Sequence, residues 1–207
     1  MQKQNIRAVI LAGGNSSRMG SPKELLKWRK GTFLTELVKE VTQAGMPCLI
    51  ISNHPERLPA EFIEQEQVTV TVDRVASAGP VSGLVTAFRA CPEDMLLVLS
   101  CDLPFMDREQ LDRLIGYASS LTDWDVVAAQ AGDRVHPLCA VYHRRTQSLW
   151  EHALQSGELR LMATLDKLRL LTTPDGLLDN WAVFNANTPE EYQIAMDEEK
   201  KRKTGEH

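Results

Sequence analysis

No stretch of the 207 residues is apolar for long enough to cross a bilayer. The first apolar run, IRAVILA, is short and ends in glycines, which reads as a strand rather than as the core of a signal peptide. Aromatic residues make up only 6% of the chain, and Trp28, Trp124, Trp150 and Trp181 are scattered without interleaved basic residues. That pattern argues for core or subunit contacts and against a surface that stacks on nucleic-acid bases. A basic excess is also missing: the formal net charge is −5, which disfavours nonspecific binding to nucleic acid. Cys48, Cys91, Cys101 and Cys139 lack the short pair spacings of a structural zinc site. Each lies in or beside an apolar segment, as expected of buried thiols in a reducing compartment, and the chain reads as cytoplasmic. There is no internal repeat and no low-complexity linker.

What remains is an ordinary globular composition, 43% hydrophobic and 25% charged, enough for one substantial core. Strands are expected at IRAVILA (6–12), CLIIS (48–52), VTVTV (68–72), MLLVLS (95–100), DVVAAQ (125–130), LCAVYH (138–143), LRLL (168–171) and AVFNA (182–186). Several are continuously apolar, as parallel strands covered on both faces are. Between them, apolar residues recur at helical spacing: Phe33, Leu34, Leu37, Val38 and Val41; Leu84, Val85 and Phe88; Leu111, Leu114 and Ile115; Leu149, Trp150, Ala153 and Leu154. The alternation predicts an α/β fold, a three-layer Rossmann-like sandwich with a mostly parallel sheet. A last helix is announced by Thr188 at the N-cap, Pro189 at N1 and Glu191 at N3. Its end, DEEKKRKTGEH, reads as a charged tail fraying into solvent from about residue 197.

The first strand runs into LAGGNSSRMGSPK. In an open α/β sheet, ligands gather beyond the carboxyl ends of the strands. Gly13 and Gly14 let the backbone turn sharply and approach a ligand, and successive amide hydrogens in such a turn receive phosphate oxygens. Arg18 adds a rigid fork of donors and Lys23 a point charge. The spacing fits neither G-x-G-x-x-G nor the Walker A loop, since five residues separate Gly14 from Gly20 and SPK follows. A plain tight turn with Arg18 and Lys23 on the surface is the alternative. Asp102 ends the apolar strand in MLLVLSCDLPF, where a carboxylate is costly unless hydrogen-bonded, metal-bound or wet. It reads either as a magnesium ligand beside phosphates or as a turn residue before Pro104. Asp107 reads as a helix cap. Asp73 follows VTVTV in the same manner as Asp102 follows its strand, and the loop SAGPVSG offers Gly79 and Gly83 for close approach to a base or ribose. Asn53, Asn185 and Asn187 place short polar groups at further strand ends, where each alone would pass for a turn former.

Taken together, LAGGNSSRMGSPKELL, SCDLPF, RVHPLCAVYHR and FNANTPEE, in that order, resemble the bacterial nucleotidyltransferases, and among them the molybdenum cofactor guanylyltransferases of the MobA family. Ala186 and Glu191 depart slightly from the usual pattern without removing a ligand-binding group. The resemblance implies a single nucleotidyltransferase domain over residues 1–207 and a magnesium-dependent enzyme. It would join GMP from GTP to the terminal phosphate of molybdenum-molybdopterin, giving the guanine dinucleotide cofactor and pyrophosphate. It further implies that Leu11, Ala12, Gly13 and Gly14 form the nucleotide loop, with Lys23 and Arg18 on its phosphates. Asn53, Asp73, Gly79, Asp102, Asn185 and Asn187 would line the nucleotide site, with Asp102 also the Mg²⁺ ligand. Arg18, Lys23 and Asp102 would carry catalysis by positioning and charge compensation. Arg134, His136 and Pro137 would border the acceptor side, with no general base needed from His136 or His143.

The partners so implied are GTP, molybdenum-molybdopterin and, transiently, other proteins of molybdenum cofactor biosynthesis, with no nucleic acid and no membrane. Alternatives are a cytidylyltransferase acting on molybdopterin, a sugar-phosphate nucleotidyltransferase, or a noncatalytic nucleotide-sensing or cofactor-carrying module. LAGG leans toward the guanylyl enzymes, because the cytidylyl relatives more often carry LAAG.

Overall fold

The computed structural model describes residues 5–13, 22–73, 75 and 79–205. Gly14 and Arg18 lie outside the described residues, as do Ser77 and Ala78 of the SAGPVSG loop. The strands are β1 (Ile6–Leu11), β2 (Lys27–Trp28), β3 (Gly31–Thr32), β4 (Cys48–Ser52), β5 (Val68–Val72), β6 (Met95–Ser100), β7 (Val126–Ala131), β8 (Arg134–His143) and β9 (Leu170–Thr172). The helices are α1 (Phe33–Gln43), α2 (Glu61–Glu64), α3 (Gly79–Ala90), α4 (Arg108–Ser120), α5 (Gln147–Gln155), α6 (Leu161–Leu165) and α7 (Pro189–Thr204). β2 and β3 form a small separate hairpin that periodicity did not announce.

The main sheet has the order β5-β4-β1-β6-β8-β7-β9. Its pairs are parallel except at β8, which runs antiparallel to both β6 and β7. Because side chains alternate along a strand, each strand feeds two cores. Ala8 and Ile10 pack with Leu34, Leu37 and Val38 of α1 and with Leu111 and Leu114 of α4. Val9, Leu49 and Ile51 pack on the other face with Leu84 and Phe88 of α3 and Trp150 of α5. The expected three-layer, mostly parallel architecture is present. The chain leaves β1 for β4 and β5 on one side and returns to β6 on the other. That reversal opens a crevice at the carboxyl ends of β1, β4, β5 and β6.

Three local expectations need correction. AVFNA is not a strand: Asn180–Val183 is a 3₁₀ turn whose N-cap, Asp179, accepts from Trp181 N. The residues after it run extended without joining the sheet, because their apolar side chains have another home. Trp28, Phe33, Phe105, Ala186 and Ala195 form a third core, with Trp181 and Phe184 packed against it. Successive edge-on contacts run from Phe33 to Trp28 at 5.4 Å, to Phe105 at 5.2 Å and to Trp181 at 5.2 Å. The strand expected from Leu138 begins at Arg134, with Pro137 inside it. The missing proline N–H is tolerated because the register with β7 shifts there, from Ala128↔Ala140 to Ala129↔His136, and the bulge absorbs it.

The charged end is the third correction. It does not fray from residue 197, since α7 continues to Thr204. Glu199 is buried and holds Arg29 by two hydrogen bonds of 3.0 and 3.2 Å. Arg202 pairs with Asp179 at 2.9 Å while its guanidinium lies 5.0 Å from the Phe105 ring centre. The capping box read from the sequence is present: Glu191 N donates to Thr188 Oγ1, and Thr188 N donates back to Glu191 Oε2, both at 3.1 Å. Asp107 caps α4 by accepting from Gln110 N at 3.0 Å. All four cysteines are free and buried. Burial pushes the Cys48 and Cys139 thiols up to about 12, so they behave as small apolar groups. Among the described residues no helix is long and apolar enough to cross a membrane.

Candidate active site

A cleft of about 610 Å³ occupies the crevice at the strand ends. Leu11, Gly13, Lys23, Asn53, Asp73 and Gly79 line it, and Asp102 closes its far end. The sheet gathers these residues because β1, β4, β5 and β6 are adjacent in the order above and all four point their carboxyl ends the same way. Ala12, between two lining residues, turns its methyl into the core, and its N–H donates to Ile51 O at 2.8 Å.

One wall ties β1 to β4 and β5 to α3. Asn53 Nδ2 donates to Gly13 O at 3.2 Å. A Cβ added at Gly13 would lie 3.1 Å from both the backbone and side-chain nitrogens of Asn53, tighter than side chains normally pack. Asp73 Oδ1 accepts from Ser82 Oγ, from Thr86 Oγ1 at 3.1 Å and from Val75 N at 3.3 Å. Two of these donors sit on successive turns of α3, so the helix fixes the carboxylate at the strand end. Gly79 opens α3 at a φ of +64°, a left-handed conformation that other residues adopt with strain. Gly83 is needed for contact: a Cβ there would come within 3.0 Å of Leu11 Cδ2.

The opposite wall is assembled from distant parts of the chain. Asp102 is 5% exposed, and its Oδ1 accepts from Ser100 Oγ at 2.5 Å and from Asn185 Nδ2 at 2.7 Å. Its Oδ2 lies 3.4 Å from Lys23 Nζ, which also donates to Asn187 Oδ1 at 2.5 Å. The two asparagines arrive through tertiary docking. Ala186 N donates to Asp102 O at 3.2 Å, its methyl is fully buried in the aromatic core, and Asn187 N donates to Glu191 Oε2 at 2.7 Å. The start of α7 thus sets the position of Asn187. Burial, followed by the neighbouring Arg134 charge, pushes the His136 ring below the usual histidine range. His143 lies at the opposite end of β8, where it accepts from Arg145 N at 3.3 Å.

Sequence reasoning missed Ser100, Thr86 and Glu24. Glu24 follows Lys23 in a 3₁₀ turn (Lys23–Leu25), lines the cleft, and is only 6% exposed. An acid beside a phosphate-facing lysine was its only signal, and a solvated turn explains that equally well in one dimension. Cys101 lies among these groups. Burial, followed by the Asp102 and Glu24 charges, raises its thiol well above the ordinary range, so it is no nucleophile. No cluster of three or more His, Cys, Asp or Glu side chains able to hold a metal is present among the described residues. The donors at hand still fit a hard cation. Asp102 is a buried carboxylate with one oxygen committed to neutral donors and the other meeting, among the described residues, a 3.4 Å lysine contact. Magnesium takes few protein carboxylates and completes its shell with phosphate and water.

The model of the MobA-like NTP transferase domain matches residues 8–169. The chain belongs to this family. A probable molybdenum cofactor guanylyltransferase of Geobacillus sp. is 31% identical over 188 residues, covering 89% of this chain and 94% of the relative. The fold is shared with molybdopterin-guanine dinucleotide biosynthesis protein A from Archaeoglobus fulgidus, with a TM-score of 0.76, 20% identity, and 94% and 99% of the two chains covered. It is shared also with 2-C-methyl-D-erythritol 4-phosphate cytidylyltransferase from Thermus thermophilus, with a TM-score of 0.67, 14% identity, and 92% and 97% covered. This MobA-like chain is accordingly a nucleotidyltransferase, which attaches a nucleoside monophosphate to a phosphate-bearing acceptor. Its family match ends at residue 169, whereas Asn185 and Asn187 come from beyond it.

Proposed function

We propose that this MobA-like nucleotidyltransferase transfers GMP from GTP to the terminal phosphate of molybdenum-molybdopterin, working in the cytoplasm and meeting other cofactor-biosynthesis proteins transiently. The observation that carries the reading is the meeting of Lys23 and Asp102, buttressed from behind by Asn187 and Asn185, in a cleft that Gly13, Asn53 and Asp73 also line. An oxygen of the acceptor phosphate forms the new bond to the α-phosphorus, the bond from that phosphorus to the bridging oxygen breaks, and pyrophosphate departs. No protein nucleophile or base is required, because the attacking phosphate is already an anion. The protein's task is to hold two mutually repelling anions in line and to balance their charge.

In this reading Lys23 stabilises the departing pyrophosphate together with Arg18, and the backbone from Leu11 to Gly14 receives the phosphates. Asn53, Asp73 and Gly79 hold the nucleoside. Asp102, oriented by Ser100 and Asn185, holds Mg²⁺, which when bound supplies charge screening at the α-phosphate. Arg134 and His136 lie toward the acceptor. A methyl at position 13 would crowd Asn53, which accounts for glycine there, and the pattern LAGG favours the guanylyl over the cytidylyl reading.

The test is incubation of the protein with molybdenum-molybdopterin, Mg²⁺ and, separately, GTP, CTP or ATP, followed by mass identification of the product. The guanine dinucleotide is expected. A cytosine dinucleotide would transfer the assignment to the cytidylyl enzymes, and nucleotide binding without any product would favour a sensing or carrying module.

A further inference from the structure

Three carboxylates line the cleft, and they are not treated alike. Asp73 and Asp102 each accept hydrogen bonds from neighbouring side chains. Glu24 is more than nine-tenths buried and meets no donor among the described residues. Neither Glu24 oxygen is among the fully enclosed polar atoms that lack a partner, so the carboxylate opens into the cleft, where a bound cation would complete it. The occupant cannot be a phosphate alone, because Glu24 would repel it. A cation between them reverses the sign of that interaction.

We propose that Glu24 is a second protein carboxylate of the divalent-cation site, taking Mg²⁺ together with Asp102 and the phosphate oxygens of the substrate. The proposal rests on the reading above in which Asp102 holds the cation, and it adds the ligand which that reading lacks. Two carboxylates with substrate phosphates and water form a donor set of the kind magnesium selects. Glu24 also adjoins Lys23, so the cation and the ammonium that share the phosphate charge are carried by one short turn.

Manganese is a paramagnetic stand-in that reports its own occupancy. Mn²⁺ is titrated into the full-length protein, its Glu24→Gln and Glu24→Asp variants and Asp102→Asn, with and without inorganic pyrophosphate, and free Mn²⁺ is read by electron paramagnetic resonance. One site is expected in the parent, weakened about tenfold or more by Glu24→Gln and less by Glu24→Asp. Thermal melting supplies a second readout. Without metal, Glu24→Gln should melt no lower than the parent, since a charge on a largely buried residue is removed and no hydrogen bond to a described residue is lost. Added Mg²⁺ should raise the parent's Tm more than the variant's.

Parent-like Mn²⁺ affinity in both Glu24 variants, or no saturable site in the parent under either condition, overturns the proposal. If Asp102→Asn alone loses the ion, the role of Glu24 falls and the proposed reaction stands. If Glu24→Gln weakens Mn²⁺ binding while CTP proves to be the donor, the nucleotide assignment falls and the role of Glu24 stands.

Discussion

The two walls of the cleft are built by different means. On the side of β4 and β5, Asn53 reaches back 40 residues to Gly13, while Asp73 is held by Val75, Ser82 and Thr86, none more than 13 residues away. On the side of β6, Asp102 is held by Asn185 and Lys23 by Asn187, partners 83 and 164 residues away. The first wall forms once its strands and α3 pack. The second exists only after the C-terminal segment has docked on the Trp28–Phe105–Trp181 aromatic core. A disturbance far from the cleft can therefore reach the second wall and leave the first intact.

The comparison breaks most sharply at Asp102. Asp102→Asn keeps the shape but removes the charge, and turnover should fall by about 10²–10³-fold while the fold, read by circular dichroism, survives. Lys23→Ala should cost about 10–100-fold in kcat/KM through loss of one charged donor. Pyrophosphate-release kinetics check both. Ala186→Leu tests the docking without touching a polar group. Overpacking the fully buried site should cost about 1–3 kcal/mol of stability and depress turnover through Asn185. Nucleotide binding measured by calorimetry should change less, because the first wall is untouched.

Arg29→Ala loosens α7 from a greater distance and should cost about 1.5 kcal/mol at pH 7. Burial opposes ionisation of Glu199, but Arg29 and then Lys203 outweigh it and hold the carboxyl below the usual range. A depressed folded-state pKa stabilises above the unfolded value and loses that effect as pH falls through the folded one. The Tm difference between the parent and Arg29→Ala should therefore shrink as pH drops through the acidic carboxylate range. The smallest effect is expected at Ser82→Ala, about 1 kcal/mol or some fivefold, seen in the KM for nucleotide with kcat nearly unchanged.

Local signals in the chain were read reliably where local physics is sufficient. CLIIS and MLLVLS, nearly continuous apolar runs of strand length, and VTVTV, an alternation of β-branched residues, occupy the expected positions because such patterns have few alternatives in an α/β chain. Thr188, Pro189 and Glu191 start α7 as expected because a capping box is satisfied within four residues. AVFNA misled for the opposite reason. An apolar pentamer needs a buried neighbour, but its pattern does not say whether that neighbour is a strand or a cluster of rings. The charged end misled similarly, since Glu199 and Arg202 look solvated until Arg29, Asp179 and the Phe105 ring are brought beside them.

By itself, then, the sequence determined the layers of the fold and the polar residues at the strand ends, both consequences of periodicity and short-range sterics. The tertiary structure alone decided that Asn185 bonds Asp102 and Asn187 bonds Lys23, that the C-terminal helix is anchored, and that Glu24 is largely buried at the cleft without a partner among the described residues. Those outcomes depend on which surfaces meet across long separations, and a linear pattern of residues does not encode such contacts one position at a time.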